Sequence, residues 1–122
     1  MQKIGLIGLG RMGTPVCARL AGAGHPVAVW DVARDRETAA LAGGARWRPS
    51  AAAAAVGADV LLTVLPGPAE VTAVMDDEVL AALAPGATWI DMSSNSPGAA
   101  APVRERARRQ GVEVLEAPIG GS

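Results

Sequence analysis

The residues best placed to do chemistry lie near the start of the chain. Gly8-Leu9-Gly10-Arg11-Met12-Gly13 spaces its glycines G-x-G-x-x-G, directly after the apolar run Ile4 to Leu9. At a turn from a buried strand into a helix, each glycine has its own duty. Gly8 lets the chain turn, Gly10 lets a pyrophosphate approach the backbone, and Gly13 lets the helix pack closely on the strand. The free N–H groups of the helix's first turn and its dipole then favour an anion. An acid, Asp31, follows about 20 residues on, where such sites hold the adenosine ribose. Its carboxylate can accept hydrogen bonds from both ribose hydroxyls and would repel a 2′-phosphate, which favours NAD over NADP. Arg34 and Arg36 pull the other way, because a guanidinium just beyond the second strand is what a 2′-phosphate needs. Against that stands the plainer reading of a solvated helix start, which is adopted for both.

The elements that must position these residues alternate along the chain. Ile4 to Leu9 reads as the first strand and Met12 to Ala23 as a helix, with Pro15 in its first turn and Gly24 at its end. Val27 to Trp30 is a second strand, Asp35 to Ala42 a short helix, and Arg46-Trp47-Arg48 a short third strand. Ser50 caps the alanine run Ala51 to Val56, read as helix filler. Asp59 to Leu65 is a continuous apolar strand stopped by Pro66-Gly67-Pro68, as suits a parallel sheet covered on both faces. Glu70 to Met75 and Val79 to Leu83 are helical, the latter after Asp76-Asp77-Glu78, read as a solvated acidic helix start and not a metal site. Ala87 to Met92 is a fifth strand and Ser93-Ser94-Asn95-Ser96 a polar loop. Ser96-Pro97 caps a helix whose Arg104, Arg106, Arg108 and Arg109 spread around its water-exposed surface, and Val112 to Glu116 is a sixth strand.

This predicts an α/β fold, a doubly wound parallel sheet of the Rossmann type in the order 3-2-1-4-5-6. In that order Leu65-Pro66, Ser93-Ser94 and Gly120-Gly121-Ser122 share one rim with the glycine turn. A nicotinamide and a small substrate would meet there. His25 precedes its strand, at the edge away from that rim, and is read as structural.

Bulk properties narrow the field. The chain has 122 residues, half of them hydrophobic, and a formal net charge of −1, so one domain with a real core is expected. Nothing favours nucleic acid or an anionic membrane, and no apolar stretch is long enough to span a bilayer. The lone cysteine, Cys17, reads as core packing in a reducing compartment, and a cytoplasmic location is expected.

Taken in order, Gly8 to Gly13, Asp31, Leu65-Pro66, Asp91-Met92-Ser93-Ser94 and Glu116-Ala117-Pro118-Ile119-Gly120-Gly121-Ser122 resemble the β-hydroxyacid dehydrogenases. That family includes 3-hydroxyisobutyrate dehydrogenase, tartronate semialdehyde reductase and the cofactor domain of 6-phosphogluconate dehydrogenase. The resemblance implies that residues 1–122 are a dinucleotide-binding domain ending at the substrate loop, without the family's helical C-terminal domain. It implies cofactor contacts from Gly8, Leu9, Gly10, Arg11, Met12, Gly13, Asp31, Leu65, Pro66 and Ser94. Substrate contacts would come from Ser94, Gly120, Gly121 and Ser122, in a segment similar to the family's D-A-P-V-S-G-G loop. Glu116 replaces that loop's Asp, Gly120 stands at its Ser and Ser122 at its final Gly; Glu70 stands where some relatives carry an amide near the cofactor.

The family's general acid/base is a lysine on a helix beyond the cofactor domain. The only lysine here, Lys3, starts the first strand at the wrong edge of the sheet, so no catalytic residue is assigned within the chain. By resemblance the full-length protein exchanges hydride between NAD(H) and a short β-hydroxyacid or its semialdehyde and is a homo-oligomer. These 122 residues alone are expected to bind NAD weakly and turn over negligibly. The alternatives are a non-catalytic dinucleotide-binding module and an NADP-dependent 6-phosphogluconate or imine reductase relative.

Overall fold

The structure is a computed structural model, described over residues 2–93 and 100–117. Its strands are β1 (Ile4–Ile7), β2 (Val27–Trp30), β3 (Arg46–Trp47), β4 (Val60–Thr63), β5 (Thr88–Asp91) and β6 (Glu113–Glu116). The helices are α1 (Gly13–Gly22), α2 (Glu37–Ala42), α3 (Ala51–Ala55), α4 (Pro68–Val74), α5 (Asp77–Ala82) and α6 (Ala101–Arg109), with a 3₁₀ turn at Arg34–Arg36 leading into α2. All six strands are parallel in the order β3-β2-β1-β4-β5-β6, the expected doubly wound arrangement. No helix among the described residues is long and apolar enough to cross a membrane.

The strands are shorter than their apolar runs, for a local reason. β1 stops at Ile7 because Gly8 takes φ +108°, a conformation that breaks the strand and that side chains rarely adopt. β4 likewise stops at Thr63, where the chain turns toward Leu65 and Pro66.

Alternation along β1 divides the core in two. Ile4 and Leu6 face a cluster with Cys17, Val27 and Val29, whereas Ile7 faces the cluster of Leu61, Val71, Leu80 and Trp89. The alanine run has a packing role that composition alone hides. A Cβ on Gly5 would sit 2.5 Å from the Ala54 carbonyl oxygen, so α3 lies directly on β1 and only small residues fit between. Ala54 and Ala55 are both buried there. The expected cap at Ser50 forms, accepting from the Ala53 amide at 3.1 Å, and Asp76, read only as part of a solvated acidic helix start, caps α5 by accepting from the Val79 amide at 3.0 Å. The described part of α6 starts at Ala101 with Pro102 in its first turn, and the Ser96-Pro97 cap lies outside the described residues.

One expectation fails on this helix. Arg104 is not on a solvated face: its side chain is 3% exposed, between the carboxylates of Asp91 at 2.8 Å and Glu116 at 2.9 Å. Its neighbours on the same helical stripe, Val103 and Ala107, are buried too, and helix geometry carries residue 104 inward with them. The other three arginines stay at the surface, where Arg106 pairs with Asp77, and Arg108 and Arg109 with Glu105.

Candidate cofactor site

The turn after β1 opens onto a cleft of about 860 Å³ at the carboxyl ends of the strands. Gly8, Gly10, Arg11, Met12 and Gly13 line it from one side, Asp31 and Arg36 from the second crossover, and Leu65, Pro66 and Glu70 from beyond β4. Leu9 is the exception among the expected contacts. Its side chain is buried in the core, and only its backbone N–H serves the site, donating to Asp31 Oδ2 at 2.6 Å.

The three motif glycines differ in what excludes a side chain. A Cβ on Gly13 would run into the Gly8 carbonyl oxygen, and one on Gly8 into that of Val64, so both positions are closed by the protein itself. Gly10 is different. Its φ is not positive, and a Cβ there would find nothing nearer than Arg36 Nη1 at 3.5 Å. Neither strain nor packing explains its missing side chain; an approaching ligand would.

Hydrogen bonds hold the turn in shape. The amides of Gly8 and Thr14 donate to the carbonyls of Trp30 and Gly10, both at 3.0 Å, and Thr14 Oγ1 donates to the Leu9 carbonyl at 2.5 Å. Among the described residues, the N–H groups of Arg11 and Met12 find no acceptor. They lie where α1 begins, with no side-chain cap and no acid in its first turn. Such an end carries partial positive charge and suits a phosphate oxygen.

Asp31 is 6% exposed, and its carboxylate is well occupied. Oδ1 accepts from the Ala33 amide at 2.7 Å, and Oδ2 from both the Leu9 amide and Arg36 Nη1, the latter at 2.9 Å. The acid therefore couples the second strand to the glycine turn. Arg36 departs from the expected solvated helix start, because the 3₁₀ turn folds it back over Asp31; Arg34, 81% exposed and 3.4 Å from Glu37, fits that expectation.

Beyond β4, Ser93 organises the rim, a role that its sequence position alone does not reveal. Its Oγ donates to the Thr63 carbonyl at 3.2 Å and accepts from the Leu65 amide at 2.8 Å, which fixes the Leu65-Pro66 bend against the end of β5. Thr63 Oγ1 in turn donates to Asp91 at 3.0 Å and accepts from the indole of the fully buried Trp89 at 3.0 Å. The Asp91–Arg104–Glu116 bridge extends this network across β5, α6 and β6. Ser94, Gly120, Gly121 and Ser122 lie outside the described residues. His25 sits at the opposite edge, its Nδ1 3.2 Å from the Gln2 carbonyl oxygen. Cys17 is buried, and loss of solvation raises its thiol pKa.

Residues 3–122 match the model of the NAD binding domain of 6-phosphogluconate dehydrogenase. The chain belongs to the β-hydroxyacid dehydrogenase family, as its NAD-binding domain. It is 36% identical over 123 residues to the NAD-dependent L-serine dehydrogenase of Pseudomonas aeruginosa, an alignment covering 99% of this chain and 41% of that protein. The structure of Mycobacterium tuberculosis 3-hydroxyisobutyrate dehydrogenase with L-serine superposes with a TM-score of 0.93 at 38% identity, over 100% of this chain and 42% of that one. Psf3 in complex with NADP+ and 2-OPP gives 0.86 at 31% identity, over 98% and 43%. The chain thus spans about two fifths of the length of these relatives.

Proposed function

We propose that this domain binds a nicotinamide dinucleotide across the carboxyl-end cleft, and that the protein containing it exchanges hydride with a short β-hydroxyacid or its semialdehyde. The observation that carries the reading is Gly10, whose side chain is excluded by no protein atom, beside the Arg11 and Met12 amides just before α1, which find no acceptor among the described residues. Paired phosphates would take those amides, Asp31 would face the adenosine ribose, and Leu65 and Pro66 would flank the nicotinamide half. Asp31 at the ribose position supports NAD as the principal cofactor.

The nicotinamide supplies the redox chemistry when bound; the chain supplies orientation and electrostatics. Ser94, Gly120, Gly121 and Ser122 are assigned to the substrate side, and the general acid/base to a lysine outside these residues. The relatives' names, L-serine dehydrogenase and 3-hydroxyisobutyrate dehydrogenase, support a three- or four-carbon hydroxyacid as the substrate class.

NADH fluorescence titration of the chain and of Gly10→Ala tests the site. Expected is saturable binding that weakens about tenfold or more in the variant, as a blocked phosphate approach requires, with thermal unfolding unchanged. Equal affinities for the two proteins would remove the turn from the site. NAD-linked oxidation of L-serine and 3-hydroxyisobutyrate by the full-length protein tests the activity, and inertness toward every short β-hydroxyacid would refute it.

A further inference from the structure

The amino-end edge of the sheet, away from the cofactor cleft, carries charge without a partner. Side chains alternate along a strand. Ile4, Val27 and Val29 belong to the Cys17 cluster and Trp47 packs against it, so Lys3, Gly5, Ala28 and Arg46 fall on the other face, where α3 lies on Gly5. Arg48 continues the ladder on that face, its amide donating to the Val29 carbonyl at 2.8 Å. Gly5, Ala28 and Arg46 stand side by side across β1, β2 and β3. Because α3 rests on the glycine and leaves the alanine half-buried, a groove of about 460 Å³ opens beside the helix. Arg46 and Arg48 line it from the edge strand, Ala53 and Val56 from α3 and its end, and Lys3 from the start of β1. It shares no lining residue with the cofactor cleft.

Three cations line this groove and no acid does, in a chain whose net charge is −1. Among the described residues their side chains form no ion pair and no hydrogen bond. Asp59, which accepts from the Lys3 amide at 2.8 Å, lies outside the lining. Arg46 and Arg48 are two residues apart, so their Cα atoms stand about 7 Å from each other. Like charges that close repel, and a cleft walled by one sign of charge concentrates the opposite ion. Charge on a short edge strand also guards it against pairing with another chain, but that duty needs neither a groove nor a lysine across it.

We infer that this groove is a second ligand site, for a small organic phosphate. The two guanidinium forks are matched to the oxygens of a dianion, which Lys3 attracts as a point charge. Ala28 and Val56, the latter 68% exposed, offer apolar surface to the body of the ligand. The cavity is of the size that small molecules fill.

Inorganic phosphate and phenyl phosphate, titrated into isotopically labelled chain while backbone amide shifts are followed, test the site. Saturable shifts are expected at Ala28, Ala53 and Gly57, with phenyl phosphate binding about threefold or more tighter than inorganic phosphate and both weakened by salt. The double variant Arg46→Gln/Arg48→Gln should lose about tenfold or more in affinity with its amide dispersion retained. Lys3→Gln, which keeps both arginines, should lose about threefold, and it decides alone should the double variant fail to fold. Shifts confined to Gly10, Arg11, Met12 and Gly13 would put phosphate in the cofactor cleft only, overturning the inference and leaving the cofactor reading standing. Unchanged affinity in the charge variants overturns it as well, and so does the absence of any shift, which leaves the arginines as guards of the edge. Equal affinity for the two probes overturns the apolar body.

Discussion

Asp31 and Asp91 occupy matching places in the two halves of the sheet and make nearly the same bonds. Each stands at the carboxyl end of its strand and accepts from the amide two residues on, Ala33 at 2.7 Å and Ser93 at 3.0 Å. Each is paired with an arginine from the crossover that follows, Arg36 at 2.9 Å and Arg104 at 2.8 Å. Water separates the two. The Arg36 side chain is 45% exposed and borders the cleft, while that of Arg104 is 3% exposed and bridges a second carboxylate, that of Glu116. One local design thus yields an arginine half exposed to solvent and an arginine sealed from it. Burial turns the second pair into a brace joining β5, α6 and β6.

The brace suggests the largest break. Arg104→Met removes the cation that faces the buried Asp91 carboxylate, and is expected to cost about 3–5 kcal/mol. Arg36→Met removes an arginine half exposed to solvent and leaves the buried Asp31 its Leu9 and Ala33 amide donors, and should cost about 1 kcal/mol or less. Urea denaturation of both variants checks the contrast, and equal losses would dissolve it.

Next in size, Gly13→Ala and Gly10→Ala separate fold from site. The first forces a Cβ against the Gly8 carbonyl and should lower stability by about 1–3 kcal/mol through a displaced α1. The second should leave the melting temperature alone, within about 0.5 kcal/mol, and weaken NADH. If Gly10→Ala destabilised the chain as much as Gly13→Ala, the case for a ligand at Gly10 would be lost.

The smallest effect concerns Cys17. Its folded-state thiol pKa is raised by burial, so the folded protein keeps its proton to higher pH than the unfolded chain does. The associated stability is fully present below the unfolded thiol's pKa and is lost as pH rises through the folded value. Native chain should therefore resist alkylation near pH 8 and react once unfolded; rapid labelling of native protein would contradict the burial.

The glycine turn, the Ser50 cap and the acidic start of α5 were legible because each is local. Spacing and side-chain chemistry decide them within a few residues. Arg104 was hidden because four arginines in one short helix look like a solvated face by composition. The usable signal was its place among Ala100, Val103 and Ala107, three and four positions apart, on the stripe that faces the sheet. Arg36 was hidden for another reason. It meets an acid five residues earlier through a 3₁₀ turn, a separation that matches no helical neighbour. Ser93 was placed on the rim with Leu65-Pro66, but its bonds to Thr63 and Leu65 were hidden because those partners are about 30 residues away along the chain.

What the sequence determined by itself was the parallel α/β sheet, its order and the placing of the glycine turn and Asp31 at one rim. Those follow from apolar periodicity and from the short crossovers that such periodicity permits. Only the folded arrangement decided which charges meet and how wet they are. Coulomb attraction and desolvation both depend on distance and on surrounding dielectric, and neither is written in the spacing of residues along a chain. That is why two similar aspartate–arginine pairs could be given different roles only once the residues packed around them were seen.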